Sequence, residues 1–383
     1  MSSQSAREQD DVEDWQRTLS VPGAHYRSLL DLTEAESAVD AQHFWRTMLP
    51  FSILDQSPIS QNMTGADALR NSVDLARHAE ALGYTRYWVA EHHGTPALAC
   101  ASPEALIGPI AAATSMIRVG SGGVMLPHYS PLKVAETFSM LAALAPGRID
   151  LGLGRAAGTD PVTTFALQRD RRQAGPDDFP AQLFELLAYL DDTLPADHPF
   201  TRLAQLPGRP EVPHPWLLGS SAQSAIWAAE LGLPYAFADF IAPHGAEIVA
   251  DYRRRFEPSR HAEKPRVIAA VWAVCAETEE EARRIASSAK MMFTLFFRGQ
   301  LIAIPPTDRA LQFLDEQPKD DDPFRTRRRA IVGSPEQVRL GIEEAVAEYE
   351  ADEVMIVTIT YSHEDRRRSY ELIARELQRN RPA

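Results

Sequence analysis

From Phe51 onward the chain repeats one unit: a short apolar run, then a stretch with apolar residues at helical spacing, then another apolar run. This repeat constrains the fold more than any other feature. Parallel strands need a crossover of a dozen or more residues, and the crossover is right-handed. The apolar runs are Phe51–Asp55, Tyr87–Ala90, Ile117–Leu126, Arg148–Leu153, Trp216–Leu218, Tyr235–Ala238, Val267–Val274 and Glu353–Ile359. Thr64-Gly-Ala-Asp67 has the form of a capping box, Leu69, Val73, Ala76 and Ala79 recur at helical spacing, and Gly83 closes that helix. Ser102-Pro103-Glu104 and Ser130-Pro131 each set a Ser N-cap before Pro at the first helical position. Further helices are expected over about 179–190, 222–231, 246–256 and 364–377. Eight such units predict an α/β fold, a closed (β/α)8 TIM barrel. A doubly wound open sheet is the other arrangement and usually needs fewer strands.

Two segments depart from the rhythm. Residues 1–50 start polar and carry one weakly amphipathic stretch with Leu29, Leu30, Phe44 and Trp45, which reads as a partly disordered arm able to dock through its aromatics. The barrel then occupies 51–383. Between the seventh and eighth strands lie about eighty residues, with helices opened by Thr278-Glu-Glu-Glu281 and Ser334-Pro335-Glu336 around a polar stretch at 299–330. A long insertion at that end of a barrel is read as a lid, with a passive surface loop as the alternative.

Composition narrows the function classes. At 383 residues, 44% hydrophobic and 24% charged, the chain is ordinary globular material. Its net charge of −14 argues against a nucleic-acid or anionic membrane partner. Two cysteines are too few for a disulfide scaffold or a thiolate metal centre, so no metal is expected. No run of 18 apolar residues offers a membrane span, and the N-terminus lacks the apolar core of a signal peptide. A cytoplasmic enzyme acting on small molecules fits these bounds.

Four stretches carry candidate chemistry. Arg86-Tyr-Trp-Val-Ala90 runs straight into Glu91-His92-His93, delivering titratable groups to a rigid strand end. Along a strand, His93 points opposite to His92 and is assigned to packing or a subunit interface. Val119-Gly-Ser-Gly-Gly-Val-Met-Leu-Pro127 sacrifices packing for glycines, either because the strand bulges at the rim or because a flat ligand ring lies against its backbone. Ile149-Asp-Leu-Gly-Leu-Gly-Arg155 fits a dinucleotide fingerprint superficially, but Gly158-Thr-Asp-Pro161 interrupts any helix there. An Arg above glycines instead suits an anionic group at the barrel mouth. Gly219-Ser-Ser-Ala-Gln-Ser224 opens a helix, where small hydroxyl residues serve as caps or, with the free amides, as a phosphate site.

With these four motifs in this order, the chain resembles the bacterial luciferase-like monooxygenase family, in its flavin-dependent branch, over roughly Phe51 to the C-terminus. The resemblance implies a (β/α)8 barrel binding FMN at its C-terminal mouth. It implies that His92, oriented by Glu91, is the catalytic proton-transfer group, and that Gly122-Gly123 forms a non-prolyl cis peptide beneath the isoalloxazine ring. Arg155, Ser221 and Ser224 match the phosphate positions, and about 297–329 corresponds to the family's mobile loop. The implied reaction uses FMNH2 from a separate flavin reductase and O2 to oxygenate a small organic substrate through a C4a-hydroperoxyflavin, in a protein expected to be a homodimer. Ser220 and Gly154 stand where the light-emitting enzyme has an acid and a reactive cysteine, so monooxygenation is implied and light emission is not. Two other functions stay open on the same barrel: deazaflavin-dependent hydride transfer, and a non-catalytic flavin-binding subunit.

Overall fold

The computed structural model describes residues 49–155, 160–167, 178–201, 203, 211–318 and 330–379. The expected arm therefore lies, apart from its last two residues, outside the described residues. Among the described residues nine strands occur: β1 (Phe51–Asp55), β2 (Arg86–Val89), β3 (Arg118–Met125), β4 (Ile149–Gly154), β5 (His214–Gly219), β6 (Tyr235–Phe237), β7 (Val267–Cys275), β8 (Ile331–Gly333) and β9 (Glu353–Val357). All pair in parallel, in the order β6-β5-β4-β3-β2-β1-β9-β7-β8, and a β6–β7 pairing closes eight of them into a barrel. The ninth, β8, lies off the ring and, among the described residues, pairs only with the last residues of β7.

The first helices are α1 (Gly65–Ala81), α2 (Pro103–Ala113), α3 (Pro131–Leu144), α4 (Pro161–Leu167) and α5 (Phe179–Asp191). The remainder are α6 (Ala222–Glu230), α7 (Ala246–Arg255), α8 (Glu279–Phe297), α9 (Thr307–Asp315), α10 (Pro335–Tyr349) and α11 (His363–Gln378). Thr64 and Asp67 form the expected capping box at α1. Ser102 and Ser130 head α2 and α3 without capping through their side chains; the Ser102 hydroxyl donates to Glu104 at 2.6 Å instead.

The insertion before β9 is more ordered than a polar loop. Within 299–330, residues 319–329 lie outside the described residues, whereas 299–318 contain α9 and the fully buried Ile304. Ser60 and Ile304 form a parallel bridge, and the Ile304 amide donates to the Ile59 carbonyl at 2.9 Å. The apolar Leu301-Ile-Ala-Ile304 ahead of Pro305-Pro306 is the signal that a reading of overall polarity misses.

Inward-facing residues build the barrel interior in tiers. Its floor is ionic. Buried Arg86 at the start of β2 pairs with Asp150 of β4 at 2.7 Å and with Glu353 of β9 at 3.0 Å. Arg118 adds a second pairing to Asp150, Arg266 a second to Glu353, and the Ser52 hydroxyl donates to Glu353 at 2.5 Å. Above it stand Trp88, Trp216 and Trp272 in one apolar cluster with Leu54, Met355 and Val357. The Trp88 indole donates to Asp150 at 2.9 Å, joining the tiers.

Removing one partner of such a network leaves buried charges uncompensated. Arg86→Met is therefore expected to destabilise the barrel by about 3–5 kcal/mol, read as a lowered urea midpoint. A midpoint within experimental scatter of the parent would show that the floor does not brace the barrel.

Candidate active site

Four consecutive strands carry the predicted residues to one end of the barrel, the C-terminal end where barrel enzymes place their chemistry. β2 leads to Glu91, His92 and His93; β3 holds Gly122 and Gly123; β4 ends at Gly154 before Arg155; β5 leads through Ser221 into α6.

His92 lies three residues past the end of β2, and Trp88 and Ala90 before it both belong to the interior cluster. Its amide donates to the Cys100 carbonyl at 2.9 Å. Its Nδ1 is buried and has no hydrogen-bond partner among the described residues. Burial, reinforced by the nearby charge of His93, pushes the imidazole pKa down to about 4. At neutral pH His92 is therefore an uncharged base with an unsatisfied buried nitrogen.

Glu91 does not orient His92. Alternation puts it on the opposite side with His93, whose Nε2 lies 2.8 Å from Glu91 Oε1. The other carboxylate oxygen accepts the Met125 amide at 2.9 Å, and Tyr129 also hydrogen-bonds to Glu91. The His93 ring meets His128 edge-on at 6.0 Å between centroids.

The glycines of β3 serve the core as well as the mouth. The register between β3 and β4 slips between Gly122 and Val124, which is a β-bulge, and the Gly122–Gly123 peptide is cis. A Cβ on Gly122 would overlap Leu54 and lie 3.2 Å from Trp88 Cβ, while one on Gly123 would lie 2.8 Å from the Gly152 carbonyl oxygen. The space inside Gly122 is thus filled by the barrel's own side chains. A branched residue there would disturb the core as well as any ligand, and only backbone at the bulge is available to a ring.

Arg155 lies with its guanidinium 5.4 Å from the ring centroid of Trp227 on α6. Ser221 caps that helix, its exposed hydroxyl accepting from the Ser224 amide. Ser224 turns inward: its hydroxyl donates to the Ser221 carbonyl at 2.8 Å and sits 3.0 Å from the Tyr235 hydroxyl. Arg155 and Ser221 therefore flank the first turns of α6, whose amides and positive dipole end favour an anion. Trp227 and Tyr235 escape a motif search, yet Trp227 follows Ser224 by three residues and so shares its side of the helix. Tyr129 lies just before the Ser130-Pro131 helix start, which already places it in a mouth loop.

The opposite half of the mouth is laced by backbone bonds. The Ile59 amide donates to Ala97, Ala99 to Ser57 and Gln61 to Ile304, at 2.7–2.9 Å. The Ser60 hydroxyl donates to the Tyr361 carbonyl at 2.5 Å. The loops after β1, β2, β7 and β9 form one continuous wall.

The luciferase-like monooxygenase profile matches residues 49–353. The chain belongs to that family. This luciferase-like monooxygenase is 46% identical to the uncharacterized protein YwcH of Bacillus subtilis, over 85% of this chain and 98% of YwcH. It is 37% identical to the N-acetyl-S-alkylcysteine monooxygenase of the same organism, over 85% and 98% of the two chains. The solved structure of apo-MsnO8 superposes with a TM-score of 0.79 at 41% identity, covering 86% of this chain and 99% of the other. A type II Baeyer–Villiger monooxygenase from Pseudomonas putida, solved in complex with FMN, shares the fold with a TM-score of 0.66 at 18% identity, covering 88% and 99%. As a luciferase-like monooxygenase the chain is an oxidoreductase acting on a small molecule and O2. Among its described residues no helix is long and apolar enough to cross a membrane.

The depressed His92 pKa makes a prediction about acid stability in the ligand-free protein. Well above pH 6.5 the histidine is neutral folded or unfolded and contributes no pH dependence. As pH falls from 6.5 towards about 4, only the unfolded chain takes the proton, so stability is lost over that window. His92→Asn should remove this loss and flatten the stability–pH slope by up to about 1.4 kcal/mol per pH unit. Denaturant titrations at pH 7, 6, 5 and 4.5 read it; parallel curves for parent and variant would mean that His92 is not held neutral by burial.

Proposed function

We propose that this protein is a flavin-dependent monooxygenase that takes reduced FMN from a separate reductase and uses O2 to oxygenate a small organic substrate. One arrangement carries the reading. Across β2 to β5 the mouth offers a neutral, buried histidine nitrogen at one end and an Arg-flanked helix N-terminus at the other, which matches a cofactor with a ring and a phosphate. The FMN in the Baeyer–Villiger relative of the same fold supports this choice.

The residues fit the cofactor. Arg155, the Ser221 hydroxyl and the first-turn amides of α6 would hold the phosphate, Arg155 through charge-assisted hydrogen bonds. Ser224 supports that turn from beneath through Tyr235. The backbone around Gly122 and Gly123 would lie against the ring. Bound reduced FMN supplies the activation of O2 and the transfer of one oxygen atom. His92 does the proton work: being neutral, it accepts a proton at a ring nitrogen, and its depressed pKa favours giving that proton back. The laced wall of the β1, β2, β7 and β9 loops keeps bulk water from that half of the mouth.

We read the protein further as a cytoplasmic homodimer. The exposed Met116 beyond α2, and Met140 and Leu144 one turn apart on α3, support a second copy packing there.

Arg155→Ala should weaken FMN by roughly tenfold or more, the worth of a charge-assisted hydrogen bond, while riboflavin binding barely changes. Equal losses for the two flavins in fluorescence titrations would remove Arg155 from the phosphate site, and tighter binding of a deazaflavin than of FMN would replace the cofactor. His92→Ala should keep FMN binding but lower oxygenation by about 10²–10⁴-fold, with O2 consumption diverted to H2O2. Product and peroxide measured per O2 consumed decide it, and a variant that stays fully coupled would make His92 a structural residue.

A further inference from the structure

Glu91 is completely buried, yet its side-chain hydrogen bonds go to residues other than His92, and it has no part in the proposed proton transfer. Its bonds explain why an acid is kept there. One carboxylate oxygen holds His93 Nε2 at 2.8 Å, within the β2–α2 loop that also carries His92. The other accepts the Met125 amide at 2.9 Å, on the last residue of β3 and just past the bulge at Gly122–Val124. Tyr129, beyond the short 3-10 turn Leu126–His128, adds a third bond. The β2–β3 pairing stops at Val89 and Ser121 while β3 runs on beside β4 to Met125, so on the β2 side the Met125 amide has no strand to pair with and needs another acceptor. Glu91 reaches it from the neighbouring strand.

We propose that Glu91 is a positioning residue, a buried tie that clamps the histidine loop after β2 to the bulged end of β3 and so fixes His92 relative to the Gly122–Gly123 backbone. Glutamate suits the task because its side chain carries two oxygens that can each serve a different partner. Bonds to a charged acceptor are also stronger than neutral ones. The tie reaches outward from β2 while His92 reaches inward, so one turn of alternation supplies both the chemistry and its support. Its effect on catalysis rests on the proposed reaction; the tie itself does not.

Two measurements on the full chain keep these apart. The first is amide hydrogen exchange in the flavin-free protein, followed on peptides covering 123–129, 90–100 and, as a control, 148–153. In Glu91→Ala, exchange at 123–129 and 90–100 is expected to rise about tenfold, as loss of charge-assisted bonds implies, with 148–153 unchanged. Glu91→Gln, whose amide oxygen still accepts from Met125, should restore protection at 123–129. Unchanged exchange at 123–129 in Glu91→Ala, or an equal rise in all three peptides, overturns the tie. If Glu91→Ala does not fold, His93→Leu carries the test: it cuts one arm and should raise exchange at 90–100, and no rise there overturns the proposal. The second measurement is product formed per O2 consumed, which should fall in Glu91→Ala and recover in Glu91→Gln. Exchange that behaves as stated while oxygenation is absent from the parent as well would reject the reaction and leave the tie standing.

Discussion

The structure depends on the ionic floor of the barrel. Arg86 reaches from β2 to Asp150 on β4 in one direction and to Glu353 on β9 in the other, spanning five neighbouring strands with one side chain. Buried ion pairs are weak sources of net stability because desolvation opposes them, but they punish any arrangement that separates the partners. Arg86, Asp150 and Glu353 each sit at the first or second residue of a strand, so only a register that brings those strand starts level satisfies them. The floor thereby fixes stagger, and stagger fixes which residues reach the opposite rim.

What stands on the floor explains the glycines. The three tryptophans of the interior cluster are too large for eight equally bulky strands to surround, and the structure answers with small residues beside them. A Cβ on Gly120 would lie 3.0 Å from Trp88 Cδ1 and 2.7 Å from Asp150 Cβ, and one on Gly122 would collide with Leu54. The same glycines permit the bulge that ends β3. Packing volume below and backbone geometry above are therefore met by one short stretch of sequence, and neither purpose can be changed alone.

The barrel was legible in the sequence because its signals are local. Strand runs such as Phe51–Asp55 alternate with helix starts such as Thr64 to Asp67, and each carries its own periodicity or cap. The gathering of His92, Gly122, Arg155 and Ser221 at one end follows from that order alone, since strand ends of a closed parallel sheet share a rim. What the sequence hid were features set by partners distant in the chain. Glu91 precedes His92, so adjacency suggests that they interact; only alternation, with Met125 beyond, gives it to His93 and the β3 end. Ile304 looks like part of a polar insertion until Ser60, far away in sequence, supplies its pairing. Ser224 reads as a ligand for phosphate, and its bond to Tyr235 beneath the helix is not legible from the sequence.

These contrasts bear on why the site is where it is. At the floor Arg86, Asp150 and Glu353 are partnered, whereas at the mouth the His92 Nδ1 is buried with no partner among the described residues. An unsatisfied buried polar atom costs about 1–3 kcal/mol, and natural proteins keep such defects where binding or chemistry needs them. A ligand that bonds to His92 would repair the defect, so part of its binding free energy comes from relieving the free protein. The same burial that creates the defect keeps the imidazole neutral, because a charged ring there would forfeit its hydration as well. Partnered charge is thus gathered at one end of the barrel, and an unpartnered polar atom is kept at the other. Between them, the Glu91 bonds lie just outside the barrel wall, where they can hold the rim in shape without satisfying the atom that must stay available.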